Sequence, residues 1–252
     1  MKNQLKFLYL ILAIINSNIS LADNVLITGG NKGIGLALVK EYLAKGHKVY
    51  TTYRSTKSSK ELLSLKHALL TTMNVDHTKE GSEKRVLKVI KDTPIDVIIH
   101  NDSIYSWKAN KTPDLDTKEW LESFHINAIA PIKLTLALQD NLSKSQVKKV
   151  VAISSNRASN SLNIIDKYEG RYAYRTSKAA LNSGMIALAQ DLNKYNIEVL
   201  MLHPGKVTTG MTNFAGANPS ESAKNIIAVI EKSTLKDSGR FINVEDGKDL
   251  PW

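Results

Sequence analysis

Short apolar runs of strand type alternate with segments of helical period along most of this chain. Strands that are covered on both faces read as continuous apolar runs, and their alternation with helices predicts a parallel sheet. Because parallel strands are joined by right-handed crossovers, the helices lie on both faces of that sheet. The sequence therefore predicts an α/β fold, a doubly wound parallel sheet, in one domain that comprises residues 23–252.

The predicted elements can be given by residue range. The strands are 24–28, 47–53, 69–73, 95–100, 147–153, 197–202 and 240–244. The helices are 36–45, 57–67, 79–91, 115–142, 172–194 and 219–233. Pro131 is expected to bend or restart the fourth helix, because proline interrupts helical hydrogen bonding.

A glycine-rich turn joins the first strand to the first helix. It follows Thr28 and places glycines at Gly29, Gly33 and Gly35. Glycines allow a tight turn and a close approach of the backbone to a pyrophosphate, which binds at a helix N-terminus. Strand, glycine turn and helix in this order predict dinucleotide binding, although the spacing differs from the commonest Gly-x-Gly-x-x-Gly fingerprint.

Two cations favour one dinucleotide over the other. Arg54 ends the second strand, 19 residues after Gly35, where NAD-binding proteins carry an acidic residue. Lys32 lies inside the glycine turn itself. Cations near the adenosine ribose suit a 2′-phosphate, so the pattern predicts NADP(H); the alternative is a pair of ordinary surface cations.

Tyr174 and Lys178 are spaced so that they lie on the same face of a helix. A free phenol has a pKa near ~10 and is a poor proton shuttle at neutral pH. A nearby ammonium favours the phenolate, so Lys178 is expected to lower the pKa of Tyr174 and fit it for proton transfer in hydride chemistry. Taken alone, this spacing is far more often that of a plain surface helix.

Several motifs stand in the order in which the short-chain dehydrogenase/reductase family carries them. They are the glycine turn 28–35, Asn101, Asn127, Ser154-Ser155, Tyr174 with Lys178, and Pro204-Gly205 with Thr209. The chain resembles that family over residues 24–252, and the stretches 172–182 and 246–252 resemble its C-factor and sniffer-type carbonyl reductase branch. The resemblance implies a Rossmann-type fold and an NADP(H)-dependent interconversion of a carbonyl compound and an alcohol.

The resemblance also implies roles for individual residues. Tyr174 would be the general acid/base, and Lys178 would tune it and hold the nicotinamide ribose. Ser155 would hydrogen-bond the substrate oxygen, with Ser154 as the competing choice. Asn127 would hold a water that supplies protons to Lys178. The implied cofactor-binding residues are Gly29, Asn31, Lys32, Gly33, Ile34, Gly35, Arg54, Asn74, Val75, Asn101, Tyr174, Lys178, Pro204, Gly205, Val207 and Thr209, the last at the nicotinamide carboxamide.

Some positions depart from the family pattern. The family's Asn-Asn-Ala-Gly turn is replaced by residues 100–103, in which Asp102 and Ser103 stand for the small residues. Asp102 adds bulk and charge beside an anionic cofactor, and Asn74 replaces an aspartate that faces the adenine. A second hypothesis follows: the chain is a catalytically weak or inactive member that acts as a binding or signalling protein.

Residues 1–22 differ from the rest of the chain. Lys2 and Lys6 both precede the apolar run 7–15. Residues 20–22 fit the small-x-small rule for cleavage. These are the parts of a secretory signal peptide, and the apolar run is short for a bilayer span. The sequence predicts export to the periplasm or outside; the alternatives are a membrane anchor or a cytoplasmic protein with an unprocessed extension.

Composition bounds the remaining functions. The 252 residues include 34 basic and 24 acidic side chains, a formal net charge of +10, but no basic stripe with interleaved aromatics, so nucleic acid is not predicted as a partner. The absence of cysteine excludes disulfides and thiol catalysis. No histidine pair has ligand spacing, so no metal site is predicted.

A small-molecule substrate is expected, and a homodimer or homotetramer is left open. Three segments are expected to cover the substrate, namely 106–114, 156–171 and 212–218. None of them carries a pattern that identifies the substrate.

Overall fold

The computed structural model describes residues 23–108, 115–167 and 169–252 of the chain. The predicted leader, residues 1–22, lies outside the described residues, as does part of the predicted substrate-covering segment 106–114. Within the part of the chain that the structure describes, no helix combines the length and the apolar character needed to cross a membrane.

The described residues contain seven parallel strands in one sheet, with the order β3-β2-β1-β4-β5-β6-β7. The strands are β1 (Asn24–Thr28), β2 (Lys48–Tyr53), β3 (Leu70–Asn74), β4 (Val97–His100), β5 (Lys149–Ile153), β6 (Glu198–His203) and β7 (Phe241–Asn243). The order reverses between β1 and β4, as it does in doubly wound sheets. The predicted α/β fold is confirmed.

The helices connect the strands and cover both faces of the sheet. They are α1 (Gly33–Ala44), α2 (Lys60–Ser64), α3 (Ser82–Ile90), α4 (Thr117–Phe124), α5 (Ala130–Ala137), α6 (Gln139–Ser143), α7 (Asn160–Ile165), α8 (Tyr172–Leu192) and α9 (Pro219–Lys232). A π-helical turn spans His125–Ile129, and short 3-10 turns span Thr56–Ser58, Asn156–Ala158, Asn193–Tyr195, Gly210–Thr212 and Leu235–Asp237.

Local chemistry decides where two of these helices begin. The Asp116 side chain accepts a hydrogen bond from the Glu119 backbone N–H at 3.0 Å and so caps α4. Asn218 caps α9 in the same way, and Pro219 occupies the first helical position, where its missing N–H leaves no bond unmade.

Two predicted helices need correction. The predicted helix 57–67 is wrong in length, because a 3-10 turn precedes a single short helix, Lys60–Ser64. The predicted helix 115–142 is divided by the π-helical turn His125–Ile129 and again at Leu138. The expected restart at Pro131 is confirmed, because α5 begins at Ala130 with Pro131 in its first turn.

Each face of the sheet carries its own apolar layer. Val25 and Ile27 point to the face that α1 and α9 cover, and Leu26 points to the face that α3, α5 and α8 cover. All three side chains are fully buried. This arrangement explains the unbroken apolar run of β1, because successive side chains of a strand point to opposite faces and both faces are covered.

Helix α5 gives a matched test of this packing. Leu134 is 1% exposed and packs in the apolar layer, whereas Leu136, two residues further on, is 49% exposed. Leu134→Ala should lower the free energy of unfolding by about 2–5 kcal/mol, since it leaves a cavity. Leu136→Ala should change it by less than about 0.5 kcal/mol. Urea denaturation of both variants checks this, and equal losses would contradict the assigned faces.

Candidate active site

A cleft of about 1320 Å³ opens at the carboxyl ends of the central strands. Its wall is built from the glycine turn after β1 and from the segments that follow β4, β5 and β6. Parallel sheets bind ligands at this edge, where the strand order reverses and neighbouring connections leave towards opposite faces. The volume exceeds that of an ordinary small-molecule pocket, which suits a dinucleotide together with a substrate.

The glycine turn leaves no room for side chains at its key positions. Gly29 has a φ of +68°, in the left-handed region. A Cβ on Gly35 would lie 2.2 Å from the Gly29 carbonyl oxygen and 2.4 Å from the Asn101 amide nitrogen. Helix α1 begins at Gly33 and presents its unpaired first-turn N–H groups to the cleft, an arrangement that favours anions.

Asn101 ties the end of β4 to this turn. Its side-chain amide donates to the carbonyl oxygens of Thr28 at 3.2 Å and Gly29 at 3.0 Å, and its backbone N–H donates to the Thr28 hydroxyl at 3.1 Å. The ends of β1 and β4, between which the strand order reverses, are therefore joined by side-chain hydrogen bonds in addition to their backbone pairing.

Asp102 lies directly against the glycine turn. A Cβ on Gly29 would lie 2.8 Å from the Cα of Asp102 and 3.0 Å from its carboxylate Oδ1. Burial lowers the pKa of Lys178 to about 7, and the charge of Asp102 opposes that shift. The carboxylate thus brings negative charge to the part of the cleft where an anionic cofactor is expected, and at the same time favours the charged form of Lys178.

The two cations that predicted NADP(H) occupy different places. Lys32 lines the cleft at the N-terminus of α1. Arg54 is exposed after β2, with its Nη1 3.9 Å from Oε1 of Glu122. Among the described residues, the cleft wall does not include Arg54, Asn74 or Val75, so their contact with a cofactor stays a prediction.

Tyr174 and Lys178 lie in the first turns of α8 and both line the cleft. The Lys178 ammonium is 6.0 Å from the centroid of the Tyr174 ring and donates to the Ile153 carbonyl oxygen at 2.8 Å. Burial raises the pKa of Tyr174, and a hydrogen bond with Ser155 opposes the rise. The expected lowering of this pKa is therefore not found in the free cleft, because burial outweighs the favourable contacts.

The two serines after β5 have different hydrogen-bond partners. The Ser154 hydroxyl is buried and donates to the Asn182 side chain at 2.6 Å, away from the cleft chemistry. The Ser155 hydroxyl hydrogen-bonds with Tyr174 and accepts from the Arg157 backbone N–H at 3.2 Å. The geometry thus brings Ser155, and not Ser154, together with the tyrosine.

Asn127 sits in the π-helical turn, behind the cleft wall and 1% exposed. Its Oδ1 accepts from the Ser103 hydroxyl at 3.0 Å and from the Ile104 N–H at 2.9 Å. Its Nδ2 donates to the Ile104 carbonyl at 3.1 Å and to the Ser177 hydroxyl at 2.9 Å. An amide side chain has no further capacity. The side chain therefore holds the chain after β4 against α8, and the water expected at Asn127 stays a prediction.

The segment after β6 closes the other side of the cleft. Pro204, Gly205, Val207 and Thr209 all line it. The Cγ2 atom of Thr209 would lie 3.1 Å from a Cβ on Gly33, so this segment rests on the glycine turn; Gly33 also has a φ of +55°, where a side chain would be strained. Asn31, Ile34 and the backbone of Gly33 face the same space.

The sequence reasoning did not single out five further residues that line this cleft. They are Tyr105, Trp107, Arg157, Arg171 and His203. The Nδ1 atom of His203 is buried without a hydrogen-bond partner among the described residues. Only the topology brings these positions together, because two follow β4, two follow β5 and His203 ends β6; the left-handed backbone of Arg171 has no signal in the sequence.

The chain was compared with protein-family models and with known proteins. The family model described as short chain dehydrogenase matches residues 23–220.

The chain belongs to the short-chain dehydrogenase family. Short-chain dehydrogenase srdF of Neurospora crassa is 28% identical over 253 residues, which cover 90% of this chain and 97% of that protein. C-signal of Myxococcus xanthus is 32% identical over 161 residues, which cover 63% of this chain and 93% of that protein. Membership makes the chain an oxidoreductase of the short-chain dehydrogenase type.

Two solved structures of short-chain dehydrogenases have the same fold over nearly their full length. The NADPH-bound carbonyl reductase from chicken fatty liver has a TM-score of 0.82 at 29% identity and covers 92% of this chain and 99% of its own. Carbonyl reductase Sniffer of Drosophila melanogaster has a TM-score of 0.82 at 30% identity, with 92% and 100% covered. The resemblance to the C-factor and sniffer-type branch is thus confirmed.

The four hydrogen bonds of Asn127 predict a structural role that can be measured. Asn127→Ala would remove the partners of the partly buried backbone N–H and carbonyl of Ile104, so the free energy of unfolding should fall by about 1–3 kcal/mol. Asn160→Ala, at an exposed position of α7, is the matched control and should change it little. Thermal or urea unfolding would show the difference; an unchanged Asn127→Ala protein would refute the network.

Proposed function

We propose that this chain is an NADP(H)-dependent oxidoreductase that interconverts a carbonyl compound and an alcohol by hydride transfer. The observation that carries the proposal is that Ser155, Tyr174 and Lys178 line one cleft, with the Lys178 Nζ 6.0 Å from the centroid of the Tyr174 ring and with Ser155 opposing the burial-driven rise in the pKa of Tyr174. The glycine turn lines the same cleft. A carbonyl reductase with bound NADPH, at 29% identity, has the same fold and supports this choice of reaction.

The residues present fit a dinucleotide at the glycine turn. A Cβ on Gly29 would collide with Asp102 and one on Gly35 with the Gly29 carbonyl, so the glycines let the turn pack closely behind the N-terminus of α1, and Gly29, Gly33 and Ile34 line the cleft there. Lys32 stands beside that N-terminus, and Lys178 lies at the inner end of the cleft. Gly29, Gly33 and the first-turn N–H groups of α1 would hold the pyrophosphate, and Lys178 would hold the nicotinamide ribose.

The chemistry needs a hydride and a proton. NADPH, when bound, would supply the hydride for the carbonyl carbon and would be oxidised to NADP⁺. The Tyr174 Oη gives its proton to the carbonyl oxygen, which becomes the alcohol oxygen, and the Ser155 hydroxyl donates a hydrogen bond to that oxygen. Because burial raises the pKa of Tyr174, the phenol is protonated but a weaker acid in the free cleft, and its proton transfer depends on the nearby positive charge of Lys178.

Lys178 contributes a charge whose strength depends on its surroundings. Its pKa of about 7 in the free cleft means that the ammonium is only partly charged at neutral pH. Asp102 counteracts this loss, and an anionic cofactor would add to its effect. A charged Lys178 near Tyr174 in turn stabilises the phenolate that remains after proton transfer.

A second candidate function rests on Asp102. Its carboxylate lies against the glycine turn, where it repels an anionic cofactor, and C-signal is among the relatives. This favours a protein that keeps the fold but binds a partner instead of a dinucleotide. The two candidates differ in one observable: only the oxidoreductase requires saturable NADP(H) binding.

The role of Tyr174 predicts a specific kinetic result. Tyr174→Phe removes the transferable proton and should lower kcat/KM for carbonyl reduction by about 10²–10⁴-fold, the usual contribution of a general acid. NADPH binding should persist, because the ring and its packing remain. Steady-state NADPH oxidation and a fluorescence titration measure the two effects. A Tyr174→Phe protein with full turnover would sink the proposal.

The different positions of the two predicted cations yield a second test. Lys32→Ala should weaken NADPH binding about tenfold and leave NADH binding nearly unchanged, since a charge-assisted contact to the 2′-phosphate is lost. Arg54→Ala should have the smaller effect, because its guanidinium faces Glu122. Lys45→Ala, at the far end of α1, is the control. Equal losses for NADPH and NADH in the Lys32 variant would contradict the assignment.

A further inference from the structure

We propose that the substrate of this cleft is an aromatic carbonyl compound that carries a carboxylate, held between the ring wall of Tyr105 and Trp107 and the guanidinium groups of Arg157 and Arg171. This inference rests on the proposed carbonyl–alcohol chemistry at Tyr174. It concerns the substrate half of the cleft, which the sequence alone did not characterise.

Aromatic rings form one wall beside the reacting hydroxyl. The rings of Tyr105 and Tyr174 have centroids 5.4 Å apart at an interplanar angle of 50°. Tyr105 also meets Trp107 edge to face at 4.6 Å, and Trp107 is 50% exposed. Rings in this range attract one another beyond plain area burial. The wall therefore offers a stacking surface that begins at Tyr174 and reaches the cleft mouth, which suits a planar ring.

Arg157 brings positive charge to the opposite part of the cleft. It follows Ser155 by two residues, and its side chain is 15% exposed, with Nη1 3.4 Å from Oδ2 of Asp166. The charge also reaches the cleft, because it acts on the pKa values of both Tyr174 and His203. The ion pair with Asp166 thus holds the guanidinium in place without removing its influence on the site.

Arg171 is the second cation, and its backbone is unusual. It has a φ of +59° and a ψ of +37° immediately before α8 begins. A left-handed conformation is costly for a long side chain and persists where its surroundings demand it, often at functional sites. Here it lines the cleft three residues before Tyr174, and its charge lowers the pKa of that phenol.

The acidic side chains of the cleft wall lie elsewhere. Among the described residues they are Glu41, Glu61 and Asp102, all in the half built around the glycine turn. The substrate half therefore combines two guanidiniums with no lining carboxylate among the described residues. Guanidinium groups bind carboxylates with paired, charge-assisted hydrogen bonds, so a substrate carboxylate matches this half better than a neutral group does.

Matched probe compounds separate the contributions of ring and charge. The probes are 3- and 4-carboxybenzaldehyde, their methyl esters, and 4-oxobutanoate, which has a carboxylate but no ring. We expect kcat/KM for the better carboxybenzaldehyde isomer to exceed that for its ester by about tenfold or more, the value of one charge-assisted contact. It should also exceed that for 4-oxobutanoate by about tenfold, because that probe has no ring to stack on the aromatic wall. Initial rates of NADPH oxidation by the wild-type protein give these ratios.

Variants of the two arginines test whether their charges cause the preference for a substrate with a carboxylate. Arg157→Gln and Arg171→Gln should each reduce the ratio of kcat/KM for the acid to kcat/KM for the ester by about tenfold. The ratio cancels any rate change that both substrates share, such as one caused by the altered charge beside Tyr174. Arg175→Gln, one turn further along α8 and outside the cleft wall among the described residues, should keep the wild-type ratio. A preference that survives in both cleft variants would overturn the assignment of these arginines.

The outcomes distinguish this inference from the reaction proposed above. Esters reduced as well as the acids would refute the carboxylate preference while the carbonyl reductase activity stands. If no probe is reduced, the proposed reaction fails, and calorimetric titration with 3- and 4-carboxybenzyl alcohol against benzyl alcohol still tests the binding preference. Equal affinity for the acid and neutral alcohols would then overturn the inference independently.

Discussion

The reversal of strand order between β1 and β4 is the constraint on which the whole site depends. At that point the glycine turn and the segment after β4 leave towards opposite faces and a crevice opens between them. The hydrogen bonds of Asn101 to the carbonyls of Thr28 and Gly29 hold the two sides in register. Every further side chain of the cleft is placed relative to this pair of strand ends.

The negative charge of Asp102 has two opposite effects in the cleft. Asp102 lies against the glycine turn, and its carboxylate works against anionic ligands but supports the charge of Lys178. Burial acts on both members of the catalytic pair: it raises the pKa of Tyr174 and lowers that of Lys178. The free cleft is thus set with a protonated phenol and a weakly charged lysine, a state that an anionic cofactor would shift towards a charged lysine.

The sequence predicted the sheet and the glycine turn because both follow from local patterns: strand period, helix period and the steric needs of glycine. It could not predict features that arise from packing. The π-helical turn that sets Asn127, the left-handed backbone of Arg171 and the contact of Thr209 with the glycine turn all depend on distant segments. Arg54 is a further case in which packing could not be predicted: its position after β2 follows from the sequence, but its orientation towards Glu122 does not.

The central claim, that this cleft binds a phosphorylated dinucleotide despite Asp102, is tested most directly by a fluorescence titration of the wild-type protein with NADPH, with NADH in parallel. The account predicts saturable binding of NADPH and clearly weaker binding of NADH, because Lys32, which lines the cleft at the N-terminus of α1, would contact the 2′-phosphate that NADH lacks. Absence of binding of either dinucleotide would contradict the account and leave the fold as a scaffold for another ligand.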